Sequence, residues 1–260
     1  MTMNFGRVAA VAVLFAVQAS FASAAEVKVF STIGVQAALE ELTPKFEKAS
    51  GHKLNITWAT AAVLVKRIQG GETADLMVLT KQGLDAMVKE GKATAGPDAI
   101  FASSGMAVVV KKGAPKPDIS TAAAFKEALL KAKSISYSNP EFGGASGVYF
   151  AKLIERLGIA EQLKAKTHYP PASGNAGNLA ASGEAELAIQ QEPEVMAVSG
   201  VDMVGPLPAD LNNITTYAAG PGVGTKEADA ANALIKFLHT PEAQAVFKAR
   251  GLKPEAAKGA

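Results

Sequence analysis

The chain has 260 residues, 48% of them apolar, enough for one large core or two smaller ones. Its 26 basic and 24 acidic side chains nearly cancel, which argues against a surface built for nucleic acid or an anionic membrane. There is no cysteine, so a disulfide framework, a thiolate metal site and a lipid-anchored N-terminal cysteine are all excluded.

Residues 1–24 carry Arg7, an apolar run from Val8 to Val17 and the small-residue triplet Ala22-Ser23-Ala24. That pattern predicts a cleavable signal peptide, with an apolar stretch too short for a membrane span. The mature protein is therefore expected to diffuse freely in the periplasm. Residues 27–30 then read as a strand and 31–34 as a small-residue loop. A long amphipathic helix follows, with Val35, Leu39, Leu42 and Phe46 on one face and Gly51 as its stop.

A second strand over 54–58 breaks at Ala59-Thr60-Ala61 into a helix with Leu64, Val65 and Ile68 inward. A third strand at 76–79 precedes a helix over 82–90, with Leu84, Met87 and Val88 inward. This β-α-β-α-β-α order predicts a parallel sheet with right-handed crossovers. A strongly apolar strand is expected over 103–112, a Pro-rich turn over 113–120, a helix over 121–131 and a strand over 135–138. After the Gly-rich loop 139–146 come a helix over 147–157, the polar loop 172–175, a short helix over 176–182 and a strand over 187–190. Pro193 starts another helix, and extended chain is expected over 201–205 and 213–219. Two C-terminal helices close the chain, over 226–239 and from Pro241 to Gly251.

Motifs for catalysis are missing. His52, His168 and His239 are dispersed, and Gly144-Ala145-Ser146-Gly147 lacks the final glycine of a nucleophile elbow because Val148 stands there. The GPGVG run at 220–224 fits neither a phosphate loop nor a dinucleotide fingerprint, and no cluster has metal-ligand spacing. No enzyme, no cofactor and no metal are expected. Four loops instead share one character, being small or hydroxyl-bearing, lacking a basic residue and leading into a helix. They are 31–34, Thr60-Ala61, Ala145-Ser146-Gly147 and 173–175. Such helix starts present free N–H groups and a favourable dipole end to an anion. Two in each half, at the carboxyl ends of strands, imply a cleft for a fully ionised oxyanion without a counter-charge.

Several stretches resemble the periplasmic molybdate-binding proteins of ABC transporters. These are VFSTIGVQAALEELTPKFEKASG, TADLMVL at 73–79, NPEFGGASGVYFAKLIERLG at 139–158, GEAELAI at 183–189 and IKFLHTPEAQAVFKARGL at 235–252. The resemblance implies an α/β fold of two lobes, each a mainly parallel sheet flanked by helices, joined by a two-crossover hinge (type II periplasmic binding fold). Lobe I would comprise 25–103 and 214–260 and lobe II 104–213, with crossovers near 103–106 and 211–216. The protein would be a monomer that captures a small anionic ligand and hands it to a membrane permease. In that family a serine hydroxyl from each of the first two loops contacts the oxyanion, and the matching positions here are Gly34 and Ala61. A backbone N–H would come from Ser146 or Gly147 and another from the Ser173–Asn175 loop, and the family's tyrosine matches Gln191. Ser31, Thr32, Thr60 and Gln191 are the expected substitutes for the missing hydroxyls. A small organic acid is the alternative ligand, because Gly34 and Ala61 would leave a roomier pocket.

Overall fold

A computed structural model describes residues 24–171 and 174–257. The signal peptide read over 1–24 lies, apart from Ala24, outside them. In chain order, β1 (Glu26–Thr32) passes through a 3-10 turn (Ile33–Val35) into α1 (Gln36–Ser50). Next come β2 (Lys53–Ala59), α2 (Ala61–Gln69), β3 (Leu76–Thr80), α3 (Lys81–Lys89), β4 (Ile100–Ser104) and β5 (Met106–Lys111). The middle of the chain forms α4 (Ala122–Lys131), β6 (Ile135–Tyr137), a second 3-10 turn (Pro140–Phe142), α5 (Ala145–Arg156) and α6 (Ala160–Lys164). It continues through β7 (Thr167–His168), α7 (Ala176–Ser182), β8 (Leu187–Gln191), α8 (Glu192–Met196) and β9 (Val201–Pro206). The chain closes with β10 (Thr215–Pro221), α9 (Ala228–Leu238), α10 (Pro241–Ala249) and β11 (Lys253–Pro254).

The strands form two sheets, ordered β11-β4-β10-β3-β1-β2 and β7-β6-β8-β5-β9, with helices on both faces of each. The two-lobe α/β architecture is therefore present, but the sheets are mixed rather than mainly parallel. β1 runs parallel to β2 and β3, and β6 runs parallel to β7 and β8. In contrast β10 is antiparallel to β3 and β4, and β5 is antiparallel to β8 and β9. The reason is geometric. A strand linked to its neighbour by a helix returns to the same end and runs parallel. β5 and β10 instead enter from the opposite sheet, at the end where their neighbours finish, so they run the other way.

The single apolar strand expected over 103–112 is two strands in two sheets, divided at Gly105. A Cβ on Gly105 would stand 2.8 Å from the Asn212 amide nitrogen. Asn212, on the return connection, accepts the Met106 N–H at 2.8 Å and donates to the Met106 and Leu207 carbonyls. One side-chain amide thus ties the two crossovers together.

Strand alternation distributes the cores. Leu76 and Val78 face Leu39, Leu42, Phe46, Leu234 and Phe247 on one side, while Met77 and Leu79 face Leu64, Ile68 and Leu84 on the other. Each such large side chain contributes about 1.5–3 kcal/mol by leaving water. Val88, expected inward, sits on the outer face and is 38% exposed. Thr60, Thr80, Thr121, Asn175 and Thr240 each cap a helix through the side-chain oxygen, worth about 1 kcal/mol apiece. No helix among the described residues is long and apolar enough to cross a membrane.

Candidate functional site

The carboxyl ends of the parallel strands of both sheets converge on one cleft. Thr32 ends β1, Thr60 follows β2, Thr80 ends β3, Ser138 follows β6, and Gln190 and Gln191 end β8; all six line it. β10 arrives from the other direction and adds Thr215 and Tyr217. The cavity within this cleft is about 50 Å³. At roughly 10–15 Å³ per water, that is room for a few waters or one comparably small solute. No lysine, arginine or histidine lines the cavity among the described residues.

Its polar surface combines the polar side chains named above with backbone at helix starts. Gly144 caps α5 with no side chain, so among the described residues the first-turn N–H groups of Ala145 and Ser146 have neither an intrahelical nor a side-chain acceptor. Opposite stands the start of α2. There the Thr60 hydroxyl oxygen accepts the Val63 N–H at 3.3 Å, and the hydroxyl reaches the Phe142 carbonyl across the cleft at 3.4 Å. The 3-10 turn after β1 begins without a side-chain cap at Thr32, and Ile33 and Gly34 line the cavity. The fourth expected loop differs. The Ala176 N–H at the start of α7 donates to Gln190 Oε1 at 2.7 Å, and the Gly177 N–H donates to Asn175 Oδ1 at 2.8 Å. Protein acceptors already satisfy that helix end.

Of the residues expected from the sequence, Thr32, Gly34, Thr60, Ala61, Ser146 and Gln191 line the cavity. Ser31 does not. It is fully buried in β1 with its hydroxyl on the Thr32 carbonyl, because neighbouring side chains on a strand point to opposite faces. Gly147 is not on the wall either. A Cβ there would stand 2.2 Å from the Ser138 carbonyl oxygen, so this glycine lets α5 approach β6. Asn175 is a helix cap beside a neighbouring groove, and Ser173 lies outside the described residues.

The expectation of a roomier pocket is corrected at Gly34. Gly34 leaves no spare room, because its missing side chain is replaced by the Tyr217 ring, whose hydroxyl oxygen is 2.4 Å from an ideal Cβ. Gln191 also lines the cavity, with part of its amide engaged by protein. Ser104 donates to its Oε1 at 2.7 Å, and its Nε2 donates to Thr215 Oγ1 at 2.7 Å. Ser104 also lies 3.2 Å from the Tyr217 hydroxyl. Its single proton goes to Gln191, so Tyr217 is the donor in that pair. Burial, then the nearby Glu194 carboxyl, pushes the Tyr217 pKa up, so this phenol stays neutral.

Glu194, Gln190 and Tyr217 were not legible in the sequence. Glu194 stands on α8 and lines the cavity, and Gln190 Nε2 donates to its Oε2. Glu194 is half-buried, with its carboxyl at the cavity wall. Desolvation pushes that carboxyl up to about 7, against a smaller lowering from the Gln190 hydrogen bond. Among the described residues no group of three or more His, Cys, Asp and Glu is placed to hold a metal ion.

A family model described as bacterial extracellular solute-binding protein matches residues 27–253. The chain belongs to this solute-binding family. Among curated relatives, aconitate isomerase from Pseudomonas sp is 34% identical over 232 residues, covering 87% of each chain. The molybdate-binding protein ModA of Escherichia coli (strain K12) is 26% identical over 248 residues, covering 94% of this chain and 95% of its own. Among solved structures, the periplasmic molybdate-binding protein of Azotobacter vinelandii superposes with a TM-score of 0.69 at 21% identity, covering 87% of this chain and 98% of that one. That likeness establishes the shared fold. Since one relative of this solute-binding family is named for an enzymatic activity, membership alone does not divide binding from catalysis.

Proposed function

We propose that this chain is the periplasmic receptor of an ABC importer, capturing a small oxyanion of the molybdate or tungstate kind between two lobes. The lobes divide as 25–103 with 214–260 and 104–213, hinged where β4 passes into β5 and β9 returns to β10. The observation that carries this reading is the pair of helix starts, α2 at Thr60-Ala61 and α5 at Gly144–Ser146, facing each other across a cavity of about 50 Å³. Backbone donors and two dipole ends suit a compact, fully ionised group. The relatives named as molybdate-binding support the same ligand class. Export through the N-terminal leader, action as a monomer and delivery to a membrane permease complete the reading. The site residues are then Thr32, Gly34, Thr60, Ala61 and Ser146, chiefly through backbone N–H groups, with the Tyr217 ring filling the side-chain space left at Gly34.

A second reading, proton-transfer isomerisation of an unsaturated polycarboxylate, is favoured by the aconitate isomerase relative and by Glu194. A cleft carboxyl titrating at about 7 is suited to general acid–base work. It ranks second because the cavity is small and lacks the arginine that usually clamps carboxylates. Calorimetric and thermal-shift titration of the ligand-free mature protein with molybdate, tungstate, sulfate, phosphate and cis- and trans-aconitate separates the two. Ligand at one hundred times its Kd adds about 2.7 kcal/mol of stability, a shift of several degrees. The oxyanion reading expects that response to a tetrahedral oxyanion. A response to aconitate alone, with deuterium entering the substrate from heavy water, overturns it in favour of the isomerase.

A further inference from the structure

We infer that Glu194 is the specificity residue of the cleft and that it accepts a fully ionised oxyanion only as a neutral acid, so that each capture takes up one proton. This deepens the oxyanion reading above and rests on it.

The geometry starts from a fixed amide. Gln190 is buried, and its Oε1 accepts the Ala176 N–H at 2.7 Å, so its Nε2 must be the atom that donates to Glu194 Oε2. Asn175 Nδ2 holds the Glu194 backbone carbonyl at 2.6 Å, which anchors the start of α8 beside the same loop. Glu194 Oε2 is thus committed as an acceptor. Glu194 Oε1 has no hydrogen-bond partner among the described residues, and the side chain lines the cavity. A proton placed on Oε1 would let Glu194 donate to a ligand oxygen while Oε2 still accepts from Gln190.

The Gln190 amide favours the ionised form of Glu194, but less than burial opposes it. The titratable groups facing it are Tyr217 from β10, Glu40 from α1 across the adjoining groove and Glu192 on its own helix; all are acids. On the strands packed against α8, Lys111 of β5 lies beside Gly183, and Asp202 of β9 holds the Gly113 N–H; Gly251, at the end of α10, packs on Glu192 and Met196, and the adjoining Arg250 guanidinium is held by Glu41. α7, β8 and the 3-10 turn after β1 carry no charged residue. Burial, against a smaller lowering from Gln190, already pushes the Glu194 carboxyl up to about 7 in the ligand-free cleft. A dianion entering beside it adds like-charge repulsion and raises it further. Above about pH 7 the empty cleft holds the carboxylate and the filled cleft the acid, and the proton comes from solvent.

The test is titration calorimetry of the mature protein with sodium molybdate and sodium tungstate from pH 6.5 to 9, in buffers of different ionisation enthalpy. Proton uptake should rise from near zero at the acid end towards one per anion bound. Affinity should fall about tenfold per pH unit above about 7. Glu194→Gln keeps an N–H donor without a titrating group, so it should bind with flat affinity and no uptake. Glu194→Ala should also lose the slope. Oxyanion binding without proton uptake, or a wild-type slope retained in Glu194→Gln, overturns this inference and leaves the oxyanion reading standing. Absence of oxyanion binding at every pH overturns both.

Discussion

Replacing Gly34 with alanine perturbs the cleft at its tightest contact. The new Cβ would stand 2.4 Å from the Tyr217 hydroxyl oxygen, 2.9 Å from Cε1 and 3.0 Å from Cζ. Tyr217 has little freedom to yield, being 1% exposed and hydrogen-bonded to Ser104. Forcing the ring or the 3-10 turn aside is overpacking, at about 1–3 kcal/mol. Losing the Ser104–Tyr217 hydrogen bond adds about 1 kcal/mol. The expected destabilisation is therefore about 2–4 kcal/mol in equilibrium urea unfolding of the ligand-free protein. Tyr217→Phe removes the closest atom but leaves Cε1, so it should relieve part of the cost. The double variant should recover about 1 kcal/mol relative to additivity. Gly34→Ser restores the residue of the molybdate-binding family yet should be as destabilised as the alanine variant. A loss under about 0.5 kcal/mol, or strict additivity with Tyr217→Phe, would refute the claim that Tyr217 occupies the side-chain space of residue 34.

Two further outcomes follow from the same geometry. Gly147→Ala drives a Cβ to 2.2 Å from the Ser138 backbone carbonyl, which cannot swing away as a side-chain tip can. A loss of about 2–4 kcal/mol and at least tenfold weaker ligand binding are expected by urea unfolding and calorimetry; near-neutral behaviour in both contradicts the close α5–β6 approach. Glu194 also links stability to pH. Its folded pKa of about 7 lies above the ordinary 4.5, so between those values the folded state holds a proton the unfolded state releases. Wild-type stability should fall as pH rises from about 4.5 to about 7, by at most about 3 kcal/mol and by about 1–2 kcal/mol once partial exposure is allowed for. Glu194→Gln should remove that fall and be the more stable protein at pH 8; unfolding curves that stay parallel from pH 4.5 to 8 exclude it.

Much of the fold was written locally. The apolar stripe of α1, its Gly51 stop with φ of 78°, and the threonine caps at 60, 80, 121 and 240 depend on neighbours a few residues away. Short-range spacing is sufficient to specify them. The helix starts at Thr60 and Ser146 were legible for the same reason, since small and hydroxyl residues before an amphipathic run are a local signal. Ser31 misled because a loop was expected where β1 runs on to Thr32, and strand alternation turns its side chain away from the cleft.

The sequence by itself therefore determined two βα systems, a return of the chain between them and a set of anion-compatible helix ends. The tertiary structure alone decided what occupies the space between those ends. Tyr217 reaches Gly34 because β10 enters the first sheet antiparallel beside β3, and Glu194 reaches the cavity because α8 starts where β8 ends. Those contacts join residues far apart in the chain, and no local periodicity encodes them. The turn after β1 thus ends as one wall of the cleft, shaped by a tyrosine brought from β10, the first strand of the returning chain.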